Sequence, residues 1–142
     1  MTGVHAAVGL AVVGLNALAA GWGGIAWVRR DPSVWFWYVL RAAQLAVVVQ
    51  AAIGGVLIAQ GHDAPDGLHL FYGIGPLVVA LVSEGMRVGA AQAEVAEVED
   101  VEALERREQV LLARRVVMRE MGVMTIGTLM ILTLSLRAAG IF

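Results

Sequence analysis

The 142-residue chain contains no cysteine. That excludes disulfides, thiolate zinc sites, iron–sulfur clusters, thioether-linked haem and cysteine nucleophiles together. Lysine is absent too, so all ten cations are arginine. Charged residues amount to only 15% and the formal net charge is −2, which leaves no basic bulk for nucleic acid. No glycine-rich phosphate loop, zinc motif or nucleophile triad is present. The N-terminal stretch Met1–His5 carries no positive charge ahead of the apolar run, so a cleaved secretory signal is not expected and the run stays in the mature chain.

Apolar residues are abundant: 59% of the chain, with a mean hydropathy of +0.77. They fall into four runs, about 4–28, 35–60, 67–88 and 118–139. A spanning helix needs roughly 20 apolar residues, and each run supplies them. The runs are long and not alternating, and lipid offers no partner to open strand edges, so helices are expected. Nine of the ten arginines flank two of the three connections: Arg29, Arg30 and Arg41 the first, and Arg87, Arg106, Arg107, Arg114, Arg115 and Arg119 the third. The positive-inside rule places those connections in the cytoplasm and both termini, with the Gln60–Asp66 loop, outside. Trp22, Trp27, Trp35, Trp37 and Tyr38 gather around the first connection as an interfacial belt does. The expectation is one domain, residues 1–142: an all-α, integral membrane, up-down four-helix bundle in the cell membrane.

The third connection, about 89–117, starts acidic and ends basic. It is rich in helix formers and holds no proline. Val95, Val98, Val101, Leu104, Leu111 and Leu112 recur at roughly helical spacing. A cytoplasmic helix or helical hairpin is expected here, either as a solvated connector or, over 90–115, as a docking face for a membrane protein partner.

His5 opens the first run and His69 the third, so the two imidazoles share one depth. In an up-down bundle the first and third helices are diagonal across the core. Two imidazoles facing each other there is the arrangement that axial ligation of haem iron requires. Gly9 and Gly73 follow the histidines at i+4, on the same helical face, and Gln50 and Gly54 repeat that spacing in the second run. A flat macrocycle needs such clearances. A packing reading stands beside this one, because glycine lets spanning helices approach closely. His62, beside Asp63, is expected to be exposed in its loop.

The stretch from Val4 to Tyr72 resembles part of one half of a haem A synthase. The likeness rests on Val4-His5-Ala6-Ala7-Val8-Gly9, an arginine-flanked turn, Gln50-Ala51-Ala52-Ile53-Gly54-Gly55, a short proline-containing loop and Leu68-His69-Leu70. The resemblance implies His5 and His69 as a bis-histidine haem pair. It covers one half rather than two. Ala6 stands where that family often has arginine, the outer-loop cysteines are absent, and no catalytic outer-loop glutamate is found. These departures argue against haem A synthesis and leave a simpler b-type cytochrome bundle.

Glu84 and Arg87 lie three apart near the end of the third run and read as an interfacial ion pair. A proton relay needs a second buried carboxylate, and none is expected in the other spans. Asn16, Gln44 and Gln50 can bridge helices, and the methionines of the last run suit adaptable packing. Two functions follow. One is a membrane cytochrome with haem b held by His5, His69, Gly9, Gly73, Gln50 and Gly54, passing electrons between a quinone and a partner. The other is a non-catalytic accessory or assembly subunit of a larger membrane complex. The residues do not decide whether the chain is an enzyme.

Overall fold

The computed structural model describes residues 2–64 and 67–141, and every regular element among them is a helix. α1 spans Thr2–Arg29, α2 Val34–Ala59, α3 Gly67–Ala96 and α4 Arg106–Ala138. All four are long and apolar enough to cross a membrane.

Local chemistry sets the ends. After α2, Gly61 takes φ 81°, its N–H reaches Ile58 O at 2.9 Å, and the His62 N–H reaches Leu57 O at 3.1 Å. Gly140 closes α4 in the same way at φ 70°, its N–H bonding to Arg137 O and the Ile141 N–H to Leu136 O. These are Schellman caps, which need a left-handed residue and usually use glycine. α1 ends with the same pair of bonds, Arg30 N–H to Trp27 O and Asp31 N–H to Ala26 O, but Arg30 holds the left-handed place at φ 55°. Ser33 then caps α2: its hydroxyl accepts from the Phe36 N–H and from Trp22 Nε1, the latter at 2.8 Å. Pro65 and Asp66, in the second connection, lie outside the described residues.

α1 packs between α2 and α4, and α3 packs chiefly on α4; the α2–α3 seam is the thinnest. The helices therefore form a ring in which α1 and α3 are diagonal. A middle layer takes one residue from each helix: Val12, Val47, Ala80 and Ile131. Nearer the arginine-rich end the core is Ala26, Phe36, Leu40, Met121 and Met124, from α1, α2 and α4. Small residues set the closest approaches, such as Gly127 against Ser83 and Gly122 against the Trp27 indole. Leu10, Leu18, Ile25, Leu45, Leu81 and many other large apolar side chains face outward. So large an exposed apolar surface suits lipid rather than water.

The third connection divides between two arms. α3 continues to Ala96 and α4 begins at Arg106, so residues 97–105 form the turn of a long hairpin. The Asp100 carboxylate accepts from the N–H groups of Glu102 and Ala103. Gln109 Nε2 donates back to the carbonyls of Val101 and Leu104. One unbroken 89–117 helix does not form. The physical reason is local: closely spaced like charges repel along a helix, carboxylates oppose a helix C-terminus, and Asp100 offers its backbone neighbours another acceptor.

Candidate functional site

The end of the bundle away from the arginines gathers the start of α1, the end of α2 and the start of α3. His5 and His69 meet there, with ring centroids 6.3 Å apart and planes tilted by 56°. Both side chains are half-buried. Gln50 on α2 joins them: its Nε2 lies 3.3 Å from His5 Nε2. Two buried polar atoms of this trio, His5 Nδ1 and Gln50 Oε1, make no hydrogen bond within the protein. Native folds rarely leave such atoms without a partner.

The glycines divide. A Cβ on Gly54 would fall 3.3 Å from His5 Cε1, so Gly54 makes room for the imidazole itself. A Cβ on Gly9 would fall 3.1 Å from Gln50 Nε2, so Gly9 makes room for the amide. Gly9 thus serves the α1–α2 seam. A Cβ on Gly73 would meet nothing within 4 Å. The structure therefore gathers His5, His69, Gln50, Gly54 and Gly9 into one cluster and leaves Gly73 beside open space. His62 is exposed in its turn. Pro76, buried within α3, removes the helical hydrogen bond to the Tyr72 carbonyl one turn from this cluster.

Fit to a haem can be judged from spacing. With metal–nitrogen bonds of about 2 Å and each ring centre about 1 Å beyond its nitrogen, two imidazoles on one ion have centroids about 6 Å apart. The His5–His69 ring separation of 6.3 Å matches that spacing. Among the described residues no group of three or more His, Cys, Asp or Glu side chains could hold a bare metal ion.

A second polar cluster lies nearer the opposite end. Arg41 on α2 binds Glu84 on α3, and Gln44 Nε2 donates to the same carboxylate at 2.8 Å. Arg87 donates to Glu84 at 2.9 Å and to Glu120 on α4 at 2.7 Å. The Arg87 guanidinium also lies over Trp37, 5.8 Å from the ring centre. The Glu84–Arg87 pair is thus the middle of a chain tying three helices, with Glu120 a partly buried carboxylate of α4 at its end. Its signal was present in Arg119-Glu120, a charged pair at the head of an apolar run. Further along, Glu94, only 6% exposed, pairs with Arg115 and Arg119.

Comparison with protein families, with curated proteins and with solved structures finds no match to this chain.

Proposed function

We propose that this protein is a small membrane cytochrome, a four-helix bundle that holds a b-type haem between His5 and His69 and passes electrons between a quinone and a membrane partner. The observation that carries the reading is the 6.3 Å approach of two imidazoles from diagonal helices. In this reading His5 and His69 would hold the haem iron through a ring nitrogen each. Gln50 holds the His5 ring in place through its contact at Nε2; with its amide turned so that Oε1 faces that nitrogen, it would accept the ring N–H, as partners of ligating histidines do. Gly54 keeps the ring from being displaced sideways. A haem bound there supplies reversible one-electron exchange. The resemblance to half of a haem A synthase supports the same pair.

The test is colour. Full-length protein purified in detergent after expression with a haem supply should show a Soret band and, when reduced, sharp alpha bands. His5→Ala and His69→Ala should each lose most of the bound haem while keeping the helical signal. A colourless wild-type protein that also takes up no added haemin overturns the reading.

One observation favours the accessory-subunit reading instead. The α3–α4 hairpin passes the end of α1, since Arg114 already reaches the Arg30 carbonyl at 2.7 Å. Beyond that level Val110 and Leu111 are exposed. A colourless preparation that copurifies with a defined membrane complex through this hairpin would establish that role.

A further inference from the structure

A groove of about 730 Å³ runs between α1 and α4 at the arginine-rich end. Its walls change character along its length. Arg30, Arg114, Arg115 and Arg119 surround the upper part, with Leu111 and Met118 among them, and Gly122, Val123 and Ile126 line the lower part. α4 runs from Arg106 inward, so the cations lie toward the membrane-surface level and Gly122, Val123 and Ile126 lie deeper. Trp27 seats its indole on Gly122 and forms one wall, beside the other aromatic residues of this end. Polar above and apolar below is the profile of an amphiphile standing in a bilayer leaflet.

The charge is not used up inside the protein. Arg115 and Arg119 both hold Glu94, yet their side chains are 56% and 59% exposed. A guanidinium has five N–H donors, so one carboxylate shared by two arginines leaves donors facing the groove. Arg114 gives one donor to a backbone carbonyl, not to an acid. Glu94 is the acid that Arg115 and Arg119 hold, and Glu120 is engaged with Arg87. Arg30 adds a further sign. It occupies a left-handed position that glycine fills at two other helix ends, and strain of this kind persists where the side chain is used.

We propose that this groove is a binding site for an anionic phospholipid, with the phosphate held by Arg30, Arg114, Arg115 and Arg119 and an acyl chain lying on Met118, Val123 and Ile126. Basic pockets between spanning helices on the arginine-rich side are suited to such headgroups, and each arginine near the surface contributes about a five-fold gain in affinity. The site is independent of the haem reading.

The test uses Trp27 as reporter. Full-length protein is reconstituted in phosphatidylcholine vesicles containing either brominated phosphatidylglycerol or brominated phosphatidylcholine at equal mole fraction. Brominated phosphatidylglycerol should quench tryptophan fluorescence more steeply. Trp27→Phe should abolish that excess. Arg30→Gly with Arg114→Gln leaves Glu94 fully paired and relieves the Arg30 backbone. This double variant should keep its fold by circular dichroism and lose phosphatidylglycerol preference by an order of magnitude or more. Equal quenching by the two lipids overturns the proposal without any variant. An excess that persists in Trp27→Phe places the lipid elsewhere and also overturns it. An excess abolished by inorganic phosphate marks a site for free anions, and the lipid is then not the occupant.

Discussion

A methyl group on Gly23 would fall 2.4 Å from Thr125 Oγ1 and 2.5 Å from Phe36 Cε2. Phe36 is fully buried and cannot yield. Gly23→Ala should therefore cost about 1–3 kcal/mol, the usual penalty for overpacking. Gly14 lies on the same helix with nothing within 4 Å of its missing Cβ. Gly14→Ala should be neutral or stabilise by up to about 1 kcal/mol, because it removes backbone freedom from the unfolded chain. Thermal unfolding in one detergent separates the two, and equal effects would show that α1 does not pack as described. Both glycines look alike in sequence. Only the neighbour from α2 or α4 tells them apart, and the same holds for Gly9, Gly54 and Gly73 around the histidines.

Among elements, the α2–α3–α4 charge chain is the clearest coupling. Arg87 faces two carboxylates, Glu84 and Glu120. Removing it leaves both without their shared cation, and hydrogen bonds to charged groups contribute about 1.5–3 kcal/mol each. Arg87→Ala should lower stability by a few kcal/mol, and Glu120→Gln by less, since Arg87 keeps Glu84. A double-mutant cycle between Arg87 and Glu120 should show coupling of about 0.5–3 kcal/mol, measured by unfolding in mixed detergent. Additive effects would mean that the α3–α4 bridge contributes nothing. The i, i+3 part of this chain was legible, because Glu84 and Arg87 share one helical face. The Glu120 part was not, because antiparallel register between α3 and α4 brings residues 33 positions apart into contact. The hairpin tells a similar story. Composition marked 89–117 as helix-forming, yet where the chain turns back depends on a side-chain acceptor, Asp100, competing with helical bonds.

At the scale of the whole molecule, the alternation of α1 to α4 puts the histidines and the C-terminus at one end and nine of the ten arginines toward the other. The arginine bias predicts that the hairpin turn lies in the cytoplasm. A reporter inserted between Glu99 and Asp100 should be active only if cytoplasmic, and one fused after residue 142 only if outside. The reverse pattern would invert the bundle and move the histidine cluster to the cytoplasmic face, while leaving the helix packing unchanged.

Four long apolar runs and their helical form were determined by sequence alone, since backbone groups in lipid must be satisfied within their own segment. The same is true of the diagonal placement of His5 and His69, which follows from short connections and alternating direction. Tertiary structure decided the rest. It set the 6.3 Å between the imidazoles, the insertion of Gln50 beside His5 and the assignment of Gly9 to the α1–α2 seam. It also decided that α3 leans on α4 more than on α2, and that Arg30, just past α1, shares one groove with three arginines of α4. The physical reason is that hydrophobicity, the main signal in a membrane sequence, specifies insertion but is indifferent to which helix touches which. Partner choice rests on the fit of small residues and a few polar side chains, and that fit exists only between helices.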